Sequence, residues 1–373
     1  MTATAKPYRV LICDDQPDVL EALRLLLKGQ GWQAVAVESP EGLMRAVHSE
    51  AFDLILADLN YTRDTTSGKE GIDLLASLES NGNTAPVMVM TAWSSFDLAV
   101  EAMRRGACDF IQKPWDNDRL LAAVRKQAES ERRRKSELEI AANVQQKLFP
   151  HNLRLLKTVD YAGHCVAARE VGGDYYDFLE IAEHTTGFAL ADVSGKGVPA
   201  ALLMANLQAS FRNQPPGALL RPAGVLESVN RHFFESTAAE RFATLFFGIY
   251  DDRTRRLRYV NCAHIAPLLL RADGSLEHLA PTATLLGAFQ KWSCKEAQLD
   301  LRPGDTLLIC SDGVTEAGIE SGEEFGEARL EAELRAGASK TAAQLVQSII
   351  DAVSRFSGVT RSDDVTVVAV RAL

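Results

Sequence analysis

Short apolar runs in the first 115 residues end on acidic or basic side chains. Asp14 and Asp15 follow the first run, Asp58 ends another, Thr91 follows a fourth and Lys113 follows the last. The runs alternate with segments of helical apolar spacing, which predicts a parallel sheet covered by helices on both faces. Ligands bind at the carboxyl ends of the strands in such sheets, so we expect these five side chains to form one site.

The alternation predicts an α/β domain with five strands and four helices before the last run ends. The predicted strands are residues 9–13, 33–37, 54–57, 87–90 and 109–112. The predicted helices are residues 18–28, 41–48, 71–78 and 96–105.

The acidic residues of this set predict a metal site. Carboxylates that meet at one point repel each other unless a cation lies among them, so Asp14, Asp15 and Asp58 predict a hard divalent ion such as Mg²⁺. A carboxylate beside such an ion can accept a phosphoryl group, and we choose Asp58 because it ends the central strand. Thr91 would donate a hydrogen bond to the phosphoryl oxygens and Lys113 would pair with them. The alternative is that Asp14 and Asp15 only cap the following helix.

Residues 116–149 contain neither glycine nor proline and favour one long helix. A stripe at 3-4 spacing has apolar ends and a polar middle. Its members are Leu120, Val124, Gln127, Glu131, Arg134, Leu138, Ala141, Gln145 and Leu148. We interpret the segment as a linker that carries a signal or forms a short homodimer contact, with Leu138 and Leu148 at the interface.

Beyond Pro150 the pattern changes to a series of short strands with helices between them. The predicted strands are residues 159–168, 175–180, 188–193, 244–250, 257–262, 267–271, 306–310 and 365–370. The predicted helices are residues 199–212, 223–236, 326–335 and 342–356. This order predicts an α+β sandwich with helices outside the sheets.

A second set of aspartates lies in this part of the chain. Asp174, Asp192 and Asp312 stand beside or near glycines, which let a backbone approach a ligand closely, and Asp363 precedes the last strand. Four carboxylates without a histidine or cysteine partner select Mg²⁺ or Mn²⁺, and two such ions support in-line attack of water on phosphorus. The alternative is that each of these aspartates only stabilises a turn of the backbone. His264 is interpreted as a structural residue rather than a general acid.

Composition excludes several classes of function. The net charge is −10, and the basic run 132–135 is flanked by glutamates, so we expect a solvated helix face and no nucleic-acid binding. The sequence has no long apolar run, so we expect no membrane segment and a cytoplasmic protein. The six dispersed cysteines are expected to be reduced thiols.

The first part of the chain resembles a two-component response-regulator receiver domain, over residues 7 to about 125. The motifs that carry the resemblance are residues 12–15, 54–58, 90–92 and 110–114. It implies a flavodoxin-like sheet, Asp58 as phosphoacceptor, Mg²⁺ held by Asp15 and the Asn60 carbonyl, and Asp14 acting through water. It further implies Phe110 as the aromatic switch residue and a cis bond between residues 113 and 114. The polar loop 60–69 is longer than in most receivers. This difference bears on how a kinase docks and on how long the phosphoryl group stays on Asp58.

Residues 140–373 resemble the metal-dependent protein phosphatase (PPM) family, in its bacterial sporulation and stress-response branch. The motifs are residues 145–150, 171–177, 191–201, 261–264, 301–305, 311–317 and 362–366. The resemblance implies an α-β-β-α sandwich in which Asp192 bridges two Mn²⁺ or Mg²⁺ ions and the Val193 carbonyl binds one. Asp312 and Asp363 would hold the other ion, and Asp174 would orient a ligand or bind through water.

Three further residues are compared with the family pattern. The resemblance makes Asp364 less critical than the preceding aspartate. Arg169 is either a phosphate clamp or, as we favour, a surface arginine. Ala263 stands where the family often has glycine.

Together the two resemblances imply a receiver domain at 7–125, a helical linker at 116–149 and a phosphatase domain at 150–373. The implied partners are a sensor histidine kinase and a phosphorylated anti-sigma-factor antagonist, so that the protein would regulate a sigma factor. The alternative is an adaptor that keeps the phosphatase fold but sequesters a partner without turnover.

Overall fold

A computed structural model describes residues 6–59, 69–80, 83–92, 96–151, 153–237, 240–358 and 361–373. The chain divides into two compact units, an amino-terminal unit of Met1–Glu137 and a carboxy-terminal unit of Leu138–Leu373. The division falls inside the segment predicted as a linker. Each unit has its own sheets and hydrophobic cores.

The amino-terminal unit alternates strands and helices. Its strands are β1 (Arg9–Cys13), β2 (Gln33–Val37), β3 (Leu54–Asp58), β4 (Val87–Ala92) and β5 (Asp109–Lys113). Its helices are α1 (Pro17–Gly29), α2 (Pro40–Ser49), α3 (Lys69–Ser80) and α4 (Phe96–Arg104), and α5 (Asn117–Gln146) continues into the other unit. The strands pair in parallel in the order β2-β1-β3-β4-β5, which confirms the predicted sheet.

Helices cover both faces of this sheet. Side chains of α1 and α5, including Leu23, Leu27 and Leu120, fill one face, and α2, α3 and α4 cover the other. All five residues of β3 are buried, as expected for the central strand of a sheet covered on both sides.

Strands β3, β4 and β5 extend one or two residues beyond their predicted ends. The added residues include Asp58, Thr91 and Lys113, whose polar side chains ended the apolar pattern that the prediction followed. Backbone pairing does not require an apolar side chain, so each strand continues to the edge where these residues lie.

Helix α5 is fixed to the amino-terminal unit by its basic run. Arg132 donates from Nε and Nη2 to the Asp53 carboxylate at 2.9 and 2.8 Å, and its guanidinium lies 4.2 Å from the centre of the Tyr8 ring. The prediction of a solvated face is wrong for Arg132. A bidentate carboxylate and a ring face are partners that an arginine finds only after folding, because Asp53 is far away in sequence.

The two ends of the predicted 3-4 stripe face the cores of their units, whereas Arg134 in its middle is exposed. Leu120 and Val124 are fully buried, and Leu148 packs against a core of the carboxy-terminal unit. Leu148 is only half-buried there, so the dimer contact at Leu138 and Leu148 stays a prediction. Helix α5 also exposes Ile140 and Val144, at 61% and 58%.

The carboxy-terminal unit contains two antiparallel sheets. Its strands are β6 (Val159–Val166), β7 (Tyr175–Ala182), β8 (Thr185–Val193), β9 (Ala243–Asp251), β10 (Arg256–Cys262), β11 (Leu268–Leu270), β12 (Leu276–His278), β13 (Ala297–Asp300), β14 (Thr306–Cys310) and β15 (Val365–Ala372). Its helices are α6 (Val198–Arg212), α7 (Pro216–Leu219), α8 (Pro222–Ser236), α9 (Asp312–Thr315), α10 (Gly326–Ala336) and α11 (Ala342–Ser357). The sheet orders are β13-β10-β9-β8-β7 and β12-β11-β14-β15-β6.

Three cores separate four layers. Helices α6 and α8 cover the outer face of the first sheet, and α10 and α11 cover the outer face of the second. Between the sheets lies an aromatic core that includes Phe178, Phe188 and Phe246. The predicted α-β-β-α sandwich is confirmed by these layers.

Two short strands, β12 and β13, and two short helices, α7 and α9, were not predicted. Strands β12 and β13 have only three and four residues, and their side chains are exposed or half-buried, so they carry little pattern. Asp312 was expected in a turn, but it begins α9 with Ser311 at the N-cap position. A helix of one turn has no apolar period that a sequence can display.

The predictions about a membrane segment and about the cysteines can be compared with the structure. Within the described ranges, no helix combines the length and apolarity that crossing a bilayer requires. All six cysteines are free, and Cys13, Cys262 and Cys310 are buried.

Candidate functional site

The first set of charged residues meets at the carboxyl edge of the amino-terminal sheet. Lys113 Nζ lies 2.6 Å from Asp14 Oδ2 and 2.9 Å from Asp58 Oδ2. Asp14, Asp15 and Asp58 each offer one oxygen, and these oxygens lie within 4.8 Å of one another. Asp14 and Asp58 are 0% and 3% exposed, so their charges act on each other with little screening by water.

This cluster has the donor set of a site for a hard divalent cation. Asp15 Oδ1 is buried and has no hydrogen-bond partner among the described residues. Burial favours a lower pKa for Lys113, but the hydrogen bond to Asp14 and the charge of Asp58 raise it above its ordinary value. One protonated lysine does not balance three carboxylates. A Mg²⁺ ion would satisfy the remaining charge and the unpaired oxygen, so the residues fit the expected cofactor.

The remaining features predicted for this site are Thr91, Phe110, the Lys113–Pro114 bond and Asn60. Thr91 is buried and follows Met90, the residue opposite Asp58 in the sheet register. Phe110 is half-buried and packs against the core beneath α2, α3 and α4. The Lys113–Pro114 bond is cis, as the resemblance implies. Asn60 and residues 61–68 of the polar loop lie outside the described residues.

The second set comes from one end of the two antiparallel sheets. Asp174 directly precedes β7, and Asp192 lies at the end of β8 in the same sheet. Asp312 follows β14, and Asp363 precedes β15 in the other sheet. Each carboxylate therefore stands where the chain leaves or enters a rigid strand.

The charges of these carboxylates act on one another. Burial, together with the charges of Asp312 and Asp363, raises the pKa of Asp192 to about 7. Burial and the charge of Asp192 raise the pKa of Asp174, and burial and the charge of Asp363 raise that of Asp312. Raised pKa values show that the ionised carboxylates lack sufficient positive charge around them, which is the electrostatic condition that divalent ions relieve.

The second set is more open than the first. In the described part of the chain, no three of its carboxylates bring their oxygens as close together as Asp14, Asp15 and Asp58 do. Two ions that lie about 3.5–4 Å apart spread their ligands over a wider volume than a single ion. The donor set of acidic oxygens, whose pKa values are raised, fits divalent ions such as Mg²⁺ or Mn²⁺.

A lysine that the sequence analysis left without a role lies in this cluster. Lys196 Nζ is 2.9 Å from Asp363 Oδ2 and donates to the Ser362 carbonyl at 2.6 Å. It belongs to the glycine-flanked turn between β8 and α6. Its position in the motif after Asp192 was the available signal, and the fold supplies the contact with Asp363.

Two buried residues hold the backbone around Asp174. Asp364 accepts hydrogen bonds from the backbone N–H groups of Ala168, Gly173 and Asp174 at 2.7, 2.7 and 3.3 Å. Thr366 Oγ1 donates to the Asp174 carboxylate at 2.5 Å. Asp364 and Thr366 both lie in the motif 362–366. The sequence assigns them no contact, because it does not show which backbone a buried side chain meets.

Three other residues from the sequence analysis lie around this end of the unit. Arg169 is exposed. Ala263 adopts φ +52°, a conformation that favours glycine. His264 is buried, and its Nδ1 lies 2.8 Å from Thr244 Oγ1, which fits the structural interpretation.

We expect His264 to weaken the fold in acid. Burial lowers its pKa to about 4 from 6.5, against the opposing effect of the Cys310 carbonyl. The unfolded chain then binds more protons than the folded chain, so stability falls as pH drops from about 6.5 to about 4. The difference of about 2.5 units is worth on the order of 3 kcal/mol. Urea unfolding between pH 7 and 4 measures it, and His264→Gln should flatten the dependence. Equal slopes in the two proteins would contradict this assignment.

Two family models match the chain. The model described as Stage II sporulation protein E (SpoIIE) matches residues 182–373, which are 192 of 373 residues. The model of the response regulator receiver domain matches residues 10–125.

Two curated relatives are phosphoserine phosphatases. Phosphoserine phosphatase RsbU of Bacillus subtilis (strain 168) is 30% identical over 238 residues, which cover 64% of this chain and 70% of RsbU. Phosphoserine phosphatase RsbP of the same strain is 28% identical over 187 residues, and the match covers 49% of this chain and 46% of RsbP. This chain thus spans about half the length of the second relative.

Solved structures share the fold. The SiaA-PP2C domain of Pseudomonas aeruginosa has a TM-score of 0.55 at 20% identity, covering 65% of this chain and 98% of that domain. The RsbU and RsbW domains of a protein from Mycobacterium tuberculosis have a TM-score of 0.51 at 26% identity, covering 60% of this chain and 61% of that one.

Proposed function

Because the chain belongs to the Stage II sporulation protein E (SpoIIE) family and carries a receiver domain in front, we propose that it is a cytoplasmic response regulator with a phosphatase output. Its carboxy-terminal domain is a serine/threonine protein phosphatase. The observation that carries the proposal is the presence of two separate carboxylate clusters among the described residues. In the first of them a half-buried lysine, Lys113, contacts two of the aspartates.

The receiver cluster suits transfer of a phosphoryl group from a histidine kinase. The P–N bond of the phosphohistidine breaks, and a P–O bond forms at an oxygen of Asp58. Lys113, whose pKa is raised, stays protonated and pairs with the transferred oxygens. Thr91 would donate a hydrogen bond to them, and Asp14 and Asp15 would hold Mg²⁺. Phe110 and α5 carry the resulting shift toward the output domain.

The phosphatase cluster suits hydrolysis of a phosphoserine or phosphothreonine ester. Asp192, the Val193 carbonyl, Asp312 and Asp363 would hold the ions, and Asp174 would orient them. Bound ions supply an activated water and neutralise charge on the phosphoryl oxygens. The water oxygen forms a bond to phosphorus, the bond from phosphorus to the serine oxygen breaks, and that oxygen takes up a proton. Lys196 would compensate the charge of Asp363 and of the substrate.

The proposed substrate is an anti-sigma-factor antagonist phosphorylated on serine or threonine, whose dephosphorylation would release a sigma factor. Support comes from the two relatives named phosphoserine phosphatases and from the structure that contains an RsbU domain together with an RsbW domain.

The test is release of phosphate from such an antagonist by the full chain with Mn²⁺. Wild type, Asp58→Asn and the exposed control Asp18→Asn are compared with and without acetyl phosphate as phosphodonor. We expect the phosphodonor to change the rate for wild type and Asp18→Asn and to leave Asp58→Asn unaffected. Tight binding of the antagonist without any turnover would favour the adaptor instead.

We also propose a homodimer through α5. The exposed pair Ile140 and Val144 lies one turn apart on this helix and would form a short apolar contact. Replacing both by glutamate should give a monomer by multi-angle light scattering at a concentration where wild type is dimeric. The control is Gln146→Glu, which adds a charge at an exposed position of α5 about 200° around the helix from Val144. An unchanged mass for the double variant would exclude this interface.

A further inference from the structure

Gln145 lies in the last turn of α5 and faces the interior. It is 9% exposed, and its neighbour three residues on, Leu148, packs against the core under α6 and α8. Glutamine is seldom buried at this level unless its amide is paired, because an unpaired amide loses its hydration.

The amide of Gln145 is paired with one residue. Its Nε2 donates to the Gly172 carbonyl at 2.7 Å, and its Oε1 accepts from the Gly172 N–H at 3.1 Å. The side chain thus satisfies both backbone groups of Gly172, as a neighbouring strand would. Because both hydrogen bonds are buried, the loss of either leaves a backbone group without a partner inside the protein.

Gly172 stands two residues before Asp174, and both glycines between Val171 and Asp174 are too closely packed for a side chain. A Cβ on Gly172 would lie 2.1 Å from Asp364 Oδ2, and one on Gly173 would lie 2.8 Å from the Val193 carbonyl oxygen. The backbone is therefore held by Gln145 on one side and Asp364 on the other. We expect a shift of Gly172 to reach Asp174 and the Val193 carbonyl, because the backbone there is in close contact with Asp364 and Val193.

We propose that Gln145 is a positioning residue that sets the metal affinity of the phosphatase site through Gly172. This inference rests on the proposed function in one respect, since it takes Asp174 and Val193 to face the ions. Helix α5 begins in the amino-terminal unit and carries Gln145 in its last turn. Residues that orient metal ligands typically change metal affinity about 10–100-fold when they are removed.

Mn²⁺ binding to the full chain tests the inference by isothermal titration calorimetry. All proteins carry Asp15→Asn, which removes the receiver site from the titration. In this background Gln145→Ala should bind Mn²⁺ at least about tenfold more weakly than the parent, while Gln146→Ala, on the exposed side of the same turn, should bind as the parent does. Excess Mn²⁺ should restore kcat to Gln145→Ala, which an unspecific loss of structure would not allow.

A second variant tests the inference if Gln145→Ala folds poorly. Gln145→Glu keeps the size and the acceptor for the Gly172 N–H and loses the donor to the carbonyl. Weakened Mn²⁺ binding by Gln145→Glu at an unchanged melting temperature in EDTA supports the inference. Parent-like Mn²⁺ binding by Gln145→Glu, or by a folded Gln145→Ala, overturns it. The proposed function fails separately, if the wild-type chain binds Mn²⁺ but hydrolyses no phosphoserine substrate.

Discussion

The Asp192→Asn variant is expected to lose phosphoserine hydrolysis by a factor of about 1,000 or more while remaining folded. Asp192 lies at the end of β8, and its pKa of about 7 reflects burial and the charges of Asp312 and Asp363. A neutral amide there weakens the hold on the ions, and loss of metal-ion catalysis removes several kcal/mol of transition-state stabilisation. The amide also relieves repulsion in the metal-free protein, so its stability in EDTA should equal or exceed that of wild type.

These two effects have opposite signs, and together they separate a metal ligand from a structural residue. Thermal unfolding with and without Mn²⁺ should show a large stabilisation of wild type by the ion and little or none for Asp192→Asn. The matched control is Asp273→Asn, an exposed aspartate whose Oδ1 accepts the Ser275 N–H in the hairpin from β11 to β12. A variant that keeps both activity and stabilisation by Mn²⁺ would remove Asp192 from the site.

The architecture of both domains could be predicted because their periodic patterns are strong. The run from Leu54 to Asp58 is buried at every position, and an apolar run of this kind identifies the centre of a parallel sheet. The receiver and phosphatase resemblances are confirmed by the two family models. The strand ends were predicted less well, since Asp58 and Lys113 are polar yet belong to the ladder.

Contacts over long sequence distances were beyond prediction. The salt bridge between Arg132 and Asp53 joins residues 79 positions apart, and the hydrogen bond from Gly173 to Asp364 spans 191. A motif identifies residues such as Asp364, but it does not show which atoms elsewhere in the chain their side chains contact. The carboxylates themselves were found because they stand at strand ends, where the fold class gives their approximate place.

Asp364 is a residue whose role depends on contacts over a long sequence distance. The family resemblance made Asp364 the less critical member of its pair with Asp363, yet the two neighbours occupy different environments. Asp363 is one-third exposed and pairs with Lys196, whereas Asp364 is 7% exposed and accepts three backbone N–H groups. An exposed ion pair contributes about 1 kcal/mol or less, while hydrogen bonds to a buried carboxylate contribute about 1.5–3 kcal/mol each.

We therefore expect the two alanine variants of this pair to differ in stability. Asp364→Ala should lose roughly 3 kcal/mol of unfolding free energy in EDTA, since the relief of repulsion with Asp174 offsets part of the lost hydrogen bonding. Asp363→Ala should lose less than about 1 kcal/mol. Both should lose tight Mn²⁺ binding, the first because the backbone before β7 is released and the second because a ligand is gone. Urea unfolding and Mn²⁺ titration of both proteins decide the matter. Equal stability in EDTA would mean that Asp364 does not hold the backbone at Gly173 and Asp174, and a wild-type affinity for Mn²⁺ in Asp364→Ala would separate that backbone from the metal site.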